Sequence, residues 1–176
     1  SRDTSWRKTL SVPSSPAPCV NSSRRYPLGM AKRPATPHAD HTGGYSGTPL
    51  ARKLGIKPGH RVALLLAPEG FRETLDGLPE DVWLGDDLRG RRELDVIVLF
   101  VTKKTPLRNR MPKAIERLSE RGGLWIAWPK KASGVETELS DGVVREMGLA
   151  TGLVDNKVCA ISPVWSGLRF VRRLKG

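Results

Sequence analysis

Lys103 and Lys104 follow one apolar run of the chain, and Lys130 and Lys131 follow another. Thr102, Ser133 and Gly134 stand beside them, and Thr105-Pro106 opens a helical pattern directly after Lys104. Ammonium groups supply charge, and the first backbone N–H groups of a helix supply donors. Together they suit an anion, either a phosphorylated small molecule or a nucleic-acid backbone. Glu69-Gly70 follows a third apolar run and joins the same set if the three runs lie side by side. The competing reading is that lysines in loops are simply solvated charges.

Two acidic groups invite comparison with ligand sites. Asp86-Asp87 follows a short strand pattern, where a carboxylate holds ribose hydroxyls in nucleotide-binding sheets; a solvated turn is the alternative. Asp155-Asn156-Lys157 interrupts an apolar stretch. If Asp155 is buried it needs a cationic partner, for which a lysine of the Lys130-Lys131 loop is a candidate; if it lies on an edge it faces water. Nucleophilic and metal chemistry find little footing. Cys159 sits among Val158, Ala160 and Ile161 and reads as a small apolar residue, while His60 opens a strand at its amino end. His38 and His41 lie far upstream, and no phosphate-loop glycine pattern, Ser-His-acid order or paired metal ligands occur.

The elements that must position these residues begin near Gly44. Thr48-Pro49 ahead of Leu50, Leu54 and Ile56 predicts a short helix with Thr48 as cap and Pro49 in its first position. Arg61 to Ala67 lacks polar alternation, as a strand covered on both faces does. A short helix is expected over Phe71 to Asp76, a short strand over Asp81 to Leu84, and a strongly buried strand over Asp95 to Val101. Leu107, Met111, Ile115 and Leu118 give the next helix its apolar stripe, with irregularity expected at Pro112 and an end at Gly122-Gly123. Leu124 to Trp128 forms another strand, and Trp125 and Trp128, three apart, point to opposite sides. Ser140 or Asp141 caps a helix running to about Thr151. The runs near 153–161 and 165–172 are joined by too short a link for anything but antiparallel pairing, with Trp165 covering the end of that hairpin. The order implies an α/β, Rossmann-like, mostly parallel sheet with helices on both faces and a C-terminal antiparallel strand pair.

Composition sets the frame. The 176 residues carry 30 Lys+Arg against 18 Asp+Glu, a formal charge of +12 that allows weak, salt-sensitive association with nucleic acid. No apolar run is long enough to span a bilayer, so no membrane partner is expected, and two cysteines are too few for a disulfide scaffold. A cytoplasmic setting is expected. Residues 1–43 are rich in Pro, Ser and basic residues and have little apolar content, which predicts a disordered tail. That segment reads as an over-extended start, with a targeting peptide or a basic arm as alternatives. Residues 44–176 are expected to form one α/β domain.

Gly44-Tyr45-Ser46-Gly47-Thr48-Pro49-Leu50, Lys57-Pro58-Gly59, Trp128-Pro129-Lys130-Lys131-Ala132-Ser133-Gly134, Gly152 to Ala160 and Trp165-Ser166-Gly167-Leu168 resemble a family of small bacterial proteins known only as a domain of unknown function. The likeness extends over about residues 44–173 and carries no catalytic residues with it. More distantly, the closing elements resemble the fold of the class I S-adenosylmethionine-dependent methyltransferases. That resemblance implies a cofactor site after the first strand, where those enzymes place a glycine-rich turn. Here the turn is Ala67-Pro68-Glu69-Gly70-Phe71, with one glycine, a proline that lacks a donor and a bulky ring. Three functions follow as expectations: a non-catalytic protein that binds an anion at the strand ends, a divergent transferase using S-adenosylmethionine or a nucleotide, and a weak nucleic-acid-associated protein.

Overall fold

Seven consecutive residues, Leu94–Phe100 (β3), are buried at all but one position, and a strand of that kind needs a neighbour on each edge and a layer on each face. In the computed structural model, which describes residues 47–174, β3 lies near the middle of a six-stranded sheet. The tail over residues 1–43, with Cys19, His38 and His41, and the Gly44-Tyr45-Ser46 part of the first motif lie outside the described residues.

The chain builds α1 (Leu50–Leu54), β1 (Arg61–Leu65), β2 (Trp83–Gly85), β3, α2 (Lys104–Arg117), β4 (Leu118–Pro129), α3 (Asp141–Leu149), β5 (Leu153–Ala160) and β6 (Trp165–Arg172). The sheet order is β2-β1-β3-β4-β6-β5. Pairings β1–β2, β1–β3 and β3–β4 are parallel, whereas β4–β6 and β5–β6 are antiparallel. The protein is therefore a mixed α/β sheet, mostly parallel, closed by a C-terminal antiparallel pair. Leu65 pairs with Leu99 and Leu99 with Ile126, so β1, β3 and β4 run side by side and their trailing loops emerge at one end.

The two layers are unequal. Ala63, Leu65, Ile97, Leu99, Leu124, Ile126 and Trp128 pack under α2 and α3. Val62, Leu64, Val96, Val98, Phe100, Trp125 and Ala127 face the other way, onto the five-residue α1 and the loop after β1. Trp125 and Trp128 thus divide between the faces. The fully buried Trp125 donates its indole Nε1 to Leu54 O at 3.0 Å, and Lys157 Nζ donates to Lys53 O at 2.9 Å. These contacts satisfy carbonyls at the end of α1 that no further helical turn reaches.

Several local expectations need correction. Pro49 is the N-cap residue of α1 itself, with no side-chain cap, so Thr48 does not cap it. Instead of a helix over Phe71 to Asp76 there is a single 3-10 turn at Arg72–Thr74, confined between Gly70 and Gly77, both left-handed. One turn fixes too few hydrogen bonds to propagate. Helix α2 passes through Pro112 and stops at Arg117, before Gly122-Gly123. Its last carbonyls are claimed by Arg172, whose Nη2 donates to Ile115 O at 2.6 Å and Leu118 O at 3.1 Å. Strand β4 then begins at Leu118 and shifts register before Gly123, where a Cβ would collide with the Arg169 guanidinium. Ser140 caps α3 as expected, accepting from Val143 N.

Candidate functional site

In open parallel sheets ligands gather where the strand order reverses, because successive loops leave toward opposite faces and open a crevice between them. Here that point lies between β1 and β3. The chain goes from β1 to β2 on one side, then crosses to β3 on the other. After β1 it passes to the α1 face, where Phe71 and Leu75 are buried; after β3 it enters α2 on the opposite face.

Leu66 stands at this point in an unusual state. Its φ is +54°, a left-handed conformation in which the Cβ of an L-residue crowds its own carbonyl, and its side chain is 49% exposed. Next come Pro68, Glu69 and Gly70, the glycine at φ +74°. Phe71 then turns inward and meets Phe100 edge-on at 4.6 Å, and Phe100 meets Trp165 at 5.1 Å. This aromatic row closes the α1 face beneath the strand ends. Trp165, expected to cover the hairpin end, packs its ring against Phe100 on this face.

The neighbouring strand ends complete the rim. Gly85 pairs with Ala63, so Asp86 and Asp87 leave β2 beside the end of β1. Asp87 accepts from Arg89 N at 2.8 Å, and its other oxygen lies 3.6 Å from Arg89 Nε. Asp86 is exposed. After β3, Thr102 O accepts from Thr137 Oγ1 at 2.8 Å and from Glu138 N at 2.9 Å. Glu138 Oε2 accepts from Lys104 N at 3.1 Å. After β4, Lys130 N donates to Val164 O and Ser133 Oγ donates to Lys130 O, bracing a 3-10 turn at Lys131–Ser133 that ends in left-handed Gly134.

Glu69, Gly70, Thr102, Lys103, Lys104, Lys130, Lys131, Ser133 and Gly134 accordingly share one end of the sheet. The anion reading of that end requires a correction. The first N–H of α2, expected to serve a ligand, already serves the Glu138 carboxylate. No local pattern announces this contact, because Glu138 is 34 residues from Lys104.

Asp155, Asn156 and Lys157 do not belong to the same place. Asp155 pairs with Phe170, five residues along β6 from Trp165, which puts it about 17 Å from the carboxyl-end rim. Its partner is Arg145 Nε of α3 at 3.4 Å, not a lysine of the Lys130-Lys131 loop. Asn156 is the extra residue where the β5–β6 register shifts, and Lys157 caps α1. Cys159 is half-buried on the α1 face. Burial pushes its thiol pKa up, partly opposed by the charges of Lys157 and Lys53. His60 accepts from Lys57 N in its own turn.

Sequence reasoning also missed a cavity of about 570 Å³ between the start of α1, the loop after β1 and the β5–β6 turn. Its wall includes Pro49, Leu50, Thr74, Asp76, Ile161 and Pro163, from three segments distant in sequence. Among the described residues, no group of three or more His, Cys, Asp or Glu side chains could hold a metal ion. None of the described helices is long and apolar enough to cross a membrane.

No family model and no curated protein matches the chain. Solved structures do. The DhpI complex with SAH is similar at 11% identity and a TM-score of 0.48, covering 64% of this chain and 76% of that one. A ribosomal protein L11 methylase from Lactobacillus delbrueckii subsp. bulgaricus is similar at 15% identity and a TM-score of 0.45, covering 71% and 75%. Magnesium protoporphyrin IX methyltransferase from Synechocystis PCC 6803 with bound SAH is similar at 10% identity and a TM-score of 0.44, covering 66% and 75%. At such identities the likeness concerns the fold alone, and no residue role is taken from these proteins.

Proposed function

We propose that the crevice between the ends of β1 and β3 binds an adenosyl-type ligand, and that the protein is a divergent transferase using S-adenosylmethionine or a related nucleoside. The observation that carries this reading is Leu66, a left-handed leucine half exposed at the point where the strand order reverses. Backbone strain in a non-glycine residue persists where the surroundings demand it, and an apolar side chain held open to solvent offers a surface for a flat base.

The residues around it suit a nucleoside better than a dinucleotide. Asp86, at the end of the strand beside β1, is placed to accept from ribose hydroxyls. A pyrophosphate needs a run of backbone donors after β1, and Pro68 interrupts that run. An adenosyl sulfonium makes no such demand, and Glu69 adds negative charge near a cationic ligand. When bound, S-adenosylmethionine supplies an activated methyl group. The chain's own contribution is to seat the base and ribose and, through the Phe71–Phe100–Trp165 row, to keep water from the underside. Capping by Glu138 weakens the simpler anion-binding reading, since one of the helix N–H donors it relied on already serves an internal carboxylate.

Thermal shift on the full chain with S-adenosylmethionine, S-adenosylhomocysteine, ATP and NAD is the test. A ligand at about 100 times its Kd adds about 2.7 kcal/mol, a rise of several degrees in Tm. The expected result is a saturable rise with an adenosyl sulfur compound that Asp86→Ala and Leu66→Gly both diminish. A flat response to all four at millimolar concentration, from a chain that melts cooperatively, would sink the reading.

A further inference from the structure

Helix α2 carries a charge distribution that the crevice does not use. Its buried positions are Leu107, Met111 and Ala114, all within the core. At 100° per residue, Thr105, Asn109, Pro112 and Glu116 lie on the opposite meridian, facing solvent. Arg108 borders that crest on one side and Lys113 on the other, each about 70° away; Lys104 lies lower on the first flank, and Arg117 and Arg110 lower on the second. Among the described residues none of these five cations is in an ion pair, and only Arg117 is committed to a backbone partner, the Arg92 carbonyl. The helix holds five basic residues and one acid over 14 positions, a length of about 21 Å.

We propose that α2 is a docking surface for the phosphodiester backbone of double-stranded nucleic acid, independent of any ligand in the crevice. A rod of fixed cations matches a rigid duplex whose strands present a phosphate about every 3.4 Å. A basic helix can otherwise serve a membrane or a helix-binding partner, but that use needs a free apolar face, and here Leu107, Met111 and Ala114 are buried in the core. Single strands are held largely by stacking on aromatic rings, and no exposed residue of α2 is aromatic. Three acids work against the surface: Glu116 on the crest, Glu138 at the helix start and Glu146, which lines the groove between α2 and α3 with Arg108. Lys103, just ahead of the helix, adds a further exposed cation.

Fluorescence anisotropy of the full chain with a labelled duplex of about 20 base pairs, at salt from about 50 to 200 mM, decides the matter. Three or four phosphate contacts give a slope of log K against log salt of about −3. Arg108→Glu combined with Lys113→Glu is expected to weaken binding at least about tenfold and flatten the slope by about two, while Glu146→Gln strengthens binding. The matched reversal Arg52→Glu with Lys57→Glu, on exposed cations of the α1 face, is expected to change affinity by less than about threefold. All four positions are exposed, and a thermal melt verifies that each variant remains folded. Equal loss from both pairs, or none from the α2 pair, overturns the proposal. Tighter binding to a single strand of the same length, or to anionic vesicles in place of the duplex, overturns it too.

Discussion

The two ends of the sheet are finished to different degrees. At the amino end several polar groups meet across long sequence separations, although Asp81 ahead of β2 is left-handed and the buried Nε atoms of Arg61, Arg117 and Arg169 have no hydrogen-bond partner. Asp95, at the start of β3, accepts from Arg61 N at 2.9 Å and from Ser119 Oγ at 3.2 Å, and Arg172 closes the end of α2. On that side Asp155 is matched to Arg145. At the carboxyl end Leu66 is strained and open, Asp86 faces solvent, and Lys103 and Lys131 project from loops. The contrast lies in the side chains left open beside the reversal of strand order, since strained backbone occurs at both ends. Parallel strands share a direction, so one end collects every loop that leads out of a strand.

The contrast can be broken hardest in the shared core. Trp125→Ala removes a fully buried ring and its bond to Leu54 O; a loss of about 3–5 kcal/mol in denaturant unfolding is expected. Asp95→Ala strips two partners from the amino end and should lose about 1–3 kcal/mol. Glu138→Ala tests the carboxyl end directly. It removes the carboxylate that serves the start of α2, at about 1 kcal/mol, and frees that start for phosphate or sulfate. The variant should gain stability with added phosphate where the parent gains little, as read by Tm.

Smaller still is Leu66→Gly, which relieves the left-handed strain while loosening the unfolded chain. Its net stability change should stay within about 1 kcal/mol even as the ligand-induced Tm rise falls away. The smallest effect belongs to Cys159. Burial favours its neutral thiol, so its folded pKa is raised. Its contribution is complete below the unfolded thiol value, about 8.5, and is lost as pH climbs through the higher folded value. Cys159→Ala should flatten that alkaline decline in stability, measured by urea unfolding across the range.

Much of the fold was legible because its central strands contain unbroken apolar runs. Residues 95–101 and 124–128 announce burial on both faces, and the brevity of Ser162-Pro163-Val164 dictates the antiparallel pair. Local signals failed where tertiary partners decide. Arg172 closes α2 across more than fifty residues, so the helix ends before its glycines. The gathering of lysines at one end could be read from strand order. The Glu138 contact and the left-handed Leu66 could not, since neither residue type advertises its role. Asp155 had two readings, a charge in need of a cation and an edge residue facing water; it is part-buried on the edge strand β5 and pairs with an arginine on a helix instead of a loop lysine.

Both outer strands of the sheet bear features that discourage another chain from pairing with them. Strand β2 is only three residues long, with the Trp83 ring folded back over Gly85 and the Arg61 guanidinium 4.2 Å from that ring. Strand β5 breaks its ladder at Asn156 and places Lys157 just past the break. A foreign strand approaching either margin meets too short a template or a kinked and charged one, so lateral stacking into fibres is disfavoured by the same residues that complete the fold.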